Sequence, residues 1–230
     1  ATGKDFTAYD LKQRRQDVRE FSFQRPYIEH YVLDPAYEEW TVKKDWAEAE
    51  PVKLAEQEAK QLLSRHVPYP DYTVHQAEQI ADNLYSFKCN SSGFLGVQLQ
   101  VAEPTSLRLG FDEILSGERV NPGRMGCYAY VTYELQPGTY TLESFEPYTM
   151  KFMEVYVDKG SCQVARVYMR DYCGSDVKRA TFQCDNEETN ELFEAARETH
   201  RQNAVDIFMD CPSRERAGWL CDSYFSSRVA

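Results

Sequence analysis

Three textures follow one another along the chain. Residues 1–72 are polar and charge-rich, with one stretch, "VKLAEQEAKQLLSR", where Leu54, Ala55, Ala59, Leu62 and Leu63 lie near helical spacing. Pro51 just before them is a start signal, so the spacing predicts a helix here. "HVPYPDY" then breaks periodicity with two prolines and reads as a connector.

From 73 to 179 the period shortens to two. "NLYSFKC", "FLGVQLQVAE", "SLRLGFDE", "CYAYVTYEL", "GTYTLESFE", "MKFMEVYVD" and "CQVARVYMRDY" are short runs rich in Val, Tyr, Phe and Leu. "NSSG", "NPG" and "QPG" separate several of them as turn signals. Strands at this spacing predict an antiparallel β-sandwich.

At 180–230 the helical period returns. In "CDNEETNELFEAARETHRQNAVD", Asp185 is placed as an N-cap, with Glu188 three residues on completing a capping box. Leu192, Phe193, Ala196, His200 and Ala204 form one apolar face, His200 reading as a satisfied core or edge histidine. A second helix is predicted to open at Pro212, whose missing N–H costs nothing there, and to run to the last residue. Two helices are not a domain, so this third region reads as the opening of a larger one.

Composition narrows the function classes. Of 230 residues, 42% are hydrophobic and 13% aromatic, which fits a folded chain rather than a disordered one. A net charge of −11 disfavours nucleic acid, whose phosphates it would repel, and leaves neutral ligands such as sugars acceptable. No apolar run approaches the roughly 18 residues of a membrane span. There is no secretory apolar segment, and the compartment stays open. Seven cysteines, an odd number without a CxxC, read as buried free thiols rather than a disulfide framework. The four histidines are scattered, so neither a metal nor a cofactor is expected. Asn90-Ser91-Ser92 fits the glycosylation acceptor pattern, which arises often by chance.

The densest chemistry lies in "DCPSRERAGW", residues 210–219. On a helix opening at Pro212, Glu215 and Trp219 share a face, and Asp222 falls on the same stripe two turns along. Arg214 could pair with Asp210 just before the helix. Two carboxylates, an indole and an Arg–Asp pair are what a sugar site uses, since aromatic faces stack on C–H and carboxylates bind hydroxyls and move protons. The bland reading is capping residues and a core tryptophan. A helix N-terminus also lowers the pKa of Glu215, whereas a general acid needs it raised.

Asp210-Cys211-Pro212-Ser213-Arg214-Glu215-Arg216-Ala217-Gly218-Trp219, followed by Asp222, resembles the signature of the bacterial α-L-rhamnosidases of glycoside hydrolase family 78. The match is dense over these residues, and the order of strands then helix agrees with the family plan from about residue 73. The resemblance implies a β-sandwich followed by the first helices of an (α/α)6 barrel, incomplete in this chain. It implies an inverting hydrolase that removes terminal α-L-rhamnose from glycosides. Glu215 would be the general acid, Asp210, Arg214 and Asp222 would hold sugar hydroxyls, and Trp219 would pack on the apolar side of the ring. The family's general base lies much later in the barrel, so the 230 residues alone are expected to be inactive. Residues 1–72 match nothing in the family pattern, and oligomeric state is open. Two other readings stand beside this one: a non-catalytic carbohydrate-binding β-sandwich module, and an (α/α)6 glycosidase with another sugar specificity.

Overall fold

The computed structural model describes residues 9, 12–37, 51–52, 63–64, 66–177 and 180–229. Its strands are β1 (Glu20–Ser22), β2 (Arg25–Tyr27), β3 (Glu29–Leu33), β4 (Val74–Gln76), β5 (Glu78–Ala81), β6 (Leu84–Val101) and β7 (Thr105–Asp112). They continue as β8 (Leu115–Ser116), β9 (Arg119–Val120), β10 (Tyr130–Leu135), β11 (Gly138–Glu143), β12 (Tyr148–Lys159) and β13 (Cys162–Asp171). Two helices follow, α1 (Glu187–Asn203) and α2 (Leu220–Ser226). The helix expected within 51–65 falls mostly outside the described residues.

Alternation builds the core. Leu107, Leu109 and Phe111 on β7 and Val131, Tyr133 and Leu135 on β10 are each at most 2% exposed, every second residue facing inward. They pair across an antiparallel ladder, Val131 opposite Leu109 and Tyr133 opposite Leu107. Nine strands join one curled sheet, ordered β3-β10-β7-β12-β6-β13-β4 with β11 and β5 also on β6. The mostly-β architecture followed by helices is as expected, but two details differ. β3 pairs with β10 in parallel, so the sheet is not wholly antiparallel. That strand also comes from the polar N-terminal region, and its pairing crosses the expected boundary at 72/73.

The second difference is β6. "NSSG" predicts a turn, yet residues 84–101 form one strand of 18 residues. Ser91 and Ser92 are polar for a reason other than solvent. They sit in the ladder opposite Met150 and Thr149, and the Ser92 hydroxyl lies 2.7 Å from that of Thr149. The first half of β6 pairs with β12 and the second half with β13 and β11, which carries the sheet around its curl. Gly93 and Gly96 allow it: a Cβ on Gly93 would stand 2.4 Å from the Arg170 carbonyl oxygen, and one on Gly96 2.1 Å from the Tyr168 ring. Asn90 lies within this strand, its side-chain amide donating to Glu113 at 3.0 Å.

α1 corrects the capping assignment. Its N-cap is Asn186, whose side chain accepts from the backbone N–H of Thr189 at 2.9 Å, one residue later than Asp185. With the register moved, Thr189 and not Glu188 stands at the third helical position, and no capping box forms. The face of α1 that reaches the sheet is polar. Gln202, its one buried residue, donates to the Asn90 carbonyl and accepts from Ser92. Arg201 beside it lies within 3.8 Å of both Asp71 and Asp171. On the face expected to be apolar, Leu192 is 69% exposed, while Phe193 stacks on Phe182 and His200 lies against Phe208. All seven cysteines are free thiols, as expected, but only Cys173 is buried.

Candidate active site

After α1 the chain folds back through Met209, whose N–H donates to the Asn203 carbonyl. The helix expected to open at Pro212 is absent. Residues 212–215 form a turn, and α2 begins only at Leu220. Asp210 closes the loop instead: its Oδ1 accepts from Ala217 N–H and its own N–H donates to the Ala217 carbonyl, both at 2.9 Å. Arg216 adopts a positive φ of 52°, a left-handed conformation that costs a side-chain-bearing residue about 1 kcal/mol. Its guanidinium offsets this by donating to the Pro147 carbonyl and lying 3.6 Å from Glu146. A continuous helix would need none of these contacts and would have to break them.

The turn brings Glu215 and Trp219 together, as the helix was expected to, but by another route and without Asp222. Arg214 donates to Glu215 Oε1 at 2.5 Å, and the Trp219 indole N–H donates to Glu215 Oε2 at 2.9 Å. Arg214 therefore pairs with Glu215 rather than with Asp210. Glu215 is held on both carboxylate oxygens, with its side chain 13% exposed, while Trp219 remains half exposed. Asp222 lies in the first turn of α2, exposed and on a different element from Glu215. The expected single stripe of Glu215, Trp219 and Asp222 does not form.

The electrostatics follow from these partners. The Arg214 hydrogen bond, and then that of Trp219, hold the Glu215 carboxyl below its ordinary range. Burial lowers the pKa of Arg216. A cavity behind the turn, lined by Arg25, Asp112, Arg124, Ser213 and Arg214, has a volume of about 30 Å³. That is room for about one water and no sugar. On the outer side of the turn Trp219 is half exposed.

Three buried side chains of the sheet region grip the turn from behind. Thr149 Oγ1 donates to the Pro212 carbonyl at 2.8 Å, Arg25 Nη1 to the Ser213 carbonyl at 2.8 Å and Ser22 Oγ to the Arg214 carbonyl at 3.1 Å. Sequence reasoning misses all three. They lie 63, 188 and 192 residues from their acceptors, and no local pattern signals such a partner. Among the described residues, no group of His, Cys, Asp and Glu is placed to hold a metal ion, and no helix is long and apolar enough to cross a membrane.

Residues 177–230 match the family model described as the bacterial alpha-L-rhamnosidase 6 hairpin glycosidase domain. The match covers the last 54 of the 230 residues, residues 210–222 among them. Solved rhamnosidases share the fold over a larger part of the chain. The α-L-rhamnosidase of Dictyoglumus thermophilum superposes with a TM-score of 0.68 over 87% of this chain, at 20% identity. That of Streptomyces avermitilis, solved with L-rhamnose, gives 0.61 over 83% at 20% identity. The family 78 rhamnosidase of Bacillus sp. GL1 gives 0.58 over 66% at 21% identity. The chain spans 25%, 20% and 17% of their respective lengths. No curated protein matches the chain. The rhamnosidase family is one of glycoside hydrolases, and the site segment of this chain lies inside the matched domain.

Proposed function

We propose that the protein removes terminal non-reducing α-L-rhamnose from rhamnosides by inversion, with Glu215 as the general acid. The observation that carries this reading is the doubly held Glu215 carboxylate beside a half-exposed indole, inside the segment that matches the rhamnosidase family model. Trp219 packs against the apolar side of the sugar. Asp210 keeps one carboxylate oxygen on the loop and offers the other to a hydroxyl, Arg214 binds a second hydroxyl, and Asp222 approaches from α2.

A general acid must carry a proton, yet Arg214 and Trp219 favour the ionised form of Glu215. Binding resolves the conflict. When Arg214 turns to a sugar hydroxyl it withdraws the larger of the two stabilising contacts, and the ring then shields Glu215 from water. Both changes raise its pKa toward the range an acid needs. Inversion requires a second carboxylate roughly 6.5–9.5 Å from the first to activate water. By the family resemblance this base comes from the later part of the helical barrel.

The test is hydrolysis of a panel of aryl glycosides by the full-length protein beside its Glu215→Gln variant. Cleavage confined to the α-L-rhamnoside, releasing the inverted anomer and falling about a thousandfold in the variant, supports the reading. Cleavage of another sugar transfers the site to a different specificity. Undiminished cleavage by Glu215→Gln moves the acid elsewhere.

A further inference from the structure

The motif turn is not self-supporting. Carbonyls 212, 213 and 214 point backward, and each accepts one hydrogen bond from Thr149, Arg25 and Ser22 in turn. Ser22 and Arg25 belong to the β1–β2 hairpin, which carries the register Glu20 opposite Tyr27 and Ser22 opposite Arg25. The Ser22 hydroxyl also accepts from Arg25 N–H at 3.1 Å, so the two anchors form one unit.

Arg25 is unusual on energetic grounds. It is 7% exposed and makes no ion pair among the described residues. Its guanidinium lies 4.3 Å from the Phe21 ring centroid and 5.4 Å from that of Tyr148, with its one described hydrogen bond to Ser213. Burial, aided by the nearby charge of Arg216, pulls its pKa down to about 10. Burying a cation with no carboxylate partner weakens a fold, so stability does not account for an arginine here. A rigid planar donor on the Ser213 carbonyl does have a use. It fixes the peptides on which Arg214 and Glu215 stand, and a displacement of about 1 Å at such a position costs up to about a hundredfold in rate.

We propose that the β1–β2 hairpin positions the catalytic turn, with Ser22 and Arg25 as positioning residues that set how Glu215 meets Arg214 and Trp219. The rate arm of this proposal rests on the reading of Glu215 as the acid.

The experiment uses the full-length protein and the variants Ser22→Ala, Arg25→Met and Arg25→Lys. Three quantities are read: kcat and KM on an aryl α-L-rhamnoside, the thermal midpoint, and the pH titration of the fluorine resonance of fluorotryptophan at position 219, assigned by Trp219→Phe. The Trp219 indole donates to Glu215, so that resonance reports the charge of Glu215, whose other facing groups are Arg214 and Asp210. Ser22→Ala and Arg25→Met are expected to lower kcat about tenfold or more, with KM within about threefold, and to raise the titration midpoint. Arg25→Lys is expected to recover part of both losses, because an ammonium still donates to the Ser213 carbonyl. Variants that melt lower but keep the wild-type kcat and titration midpoint would overturn the proposal. If Arg25→Met does not fold, Ser22→Ala and Thr149→Val apply the same criterion. If the wild type cleaves no rhamnoside, the function reading falls, and the Trp219 titration alone decides whether the hairpin sets the turn.

Discussion

The β7–β10 ladder and the loop from 204 to 219 are built on opposite terms. In the ladder each residue's place follows from its neighbours: alternate apolar side chains face inward, and Leu107, Leu109, Val131 and Tyr133 are buried by a rule of period two. In the loop, position follows from hydrogen bonds made by residues far away. The Pro212, Ser213 and Arg214 carbonyls end on Thr149, Arg25 and Ser22, and Arg216 ends on Pro147. The first kind of structure tolerates exchange of one apolar residue for another of similar size. The second depends on single donors, so stability and function come apart there.

The sharpest way to test that contrast is to damage each region once. Leu107 is fully buried in the ladder, and Leu107→Ala is expected to cost about 2–5 kcal/mol in denaturant unfolding while leaving kcat per folded molecule near wild type. Ser22→Ala is expected to lower kcat about tenfold or more for a smaller stability cost, about 1–3 kcal/mol from the buried partners it leaves unsatisfied. A Leu107→Ala variant that loses rate without losing stability would dissolve the distinction.

Glu29 tests the border between the two regions. It is fully buried on β3, and its carboxylate accepts from Tyr31 and Tyr148 hydroxyls and from the N–H groups of Phe145 and Glu146. Those two N–H groups open the segment that grips Arg216 through Glu146 and Pro147. Glu29→Gln places an amide NH2 against two of the four donors and is expected to cost about 3 kcal/mol. Unlike Leu107→Ala, it should also alter the Trp219 titration, because the loop moves with it. A change in stability alone would confine Glu29 to the core.

How much of this was legible in the sequence divides along the same line. Period two marks β7, β10, β11, β12 and β13 but not the two-residue strands β8 and β9, and the return of helical period marks α1. The run "NSSG" misled because Ser91 and Ser92 are polar for partners inside the sheet, and a local reading hears polar as turn. Pro212 misled in the same way: proline fits a first helical position, but three distant donors and a left-handed Arg216 hold a turn there instead. Glu215 and Trp219 were grouped correctly on the wrong scaffold. Ser22, Arg25 and Thr149 were invisible, since a hydrogen bond over some 190 residues leaves no periodic trace.

A smaller effect separates pattern from geometry at the start of α1. Asn186 accepts from Thr189 N–H, whereas Asp185, the residue that pattern favours, does not cap. Asn186→Ala is therefore expected to cost about 1 kcal/mol and Asp185→Ala a few tenths, both read by urea unfolding. Equal costs would return the cap to Asp185.

The smallest effect concerns pH and returns to the loop. Arg214 is the larger cause of the low Glu215 pKa and Trp219 the smaller. A carboxyl whose folded pKa lies below its unfolded value, about 4.5, contributes stability that is fully present above that value. The contribution is lost as pH falls through the lower, folded pKa. Arg214→Met removes the larger cause, so its Glu215 should titrate closer to 4.5 and add less stability at neutral pH. The thermal midpoints of wild type and Arg214→Met should then differ most above pH 5 and converge as both carboxyls take up protons in acid. A difference that stays constant down the acid range would mean that Arg214 supports the turn by packing alone. In that case the loop would owe nothing to the charges of its Arg214–Glu215 pair.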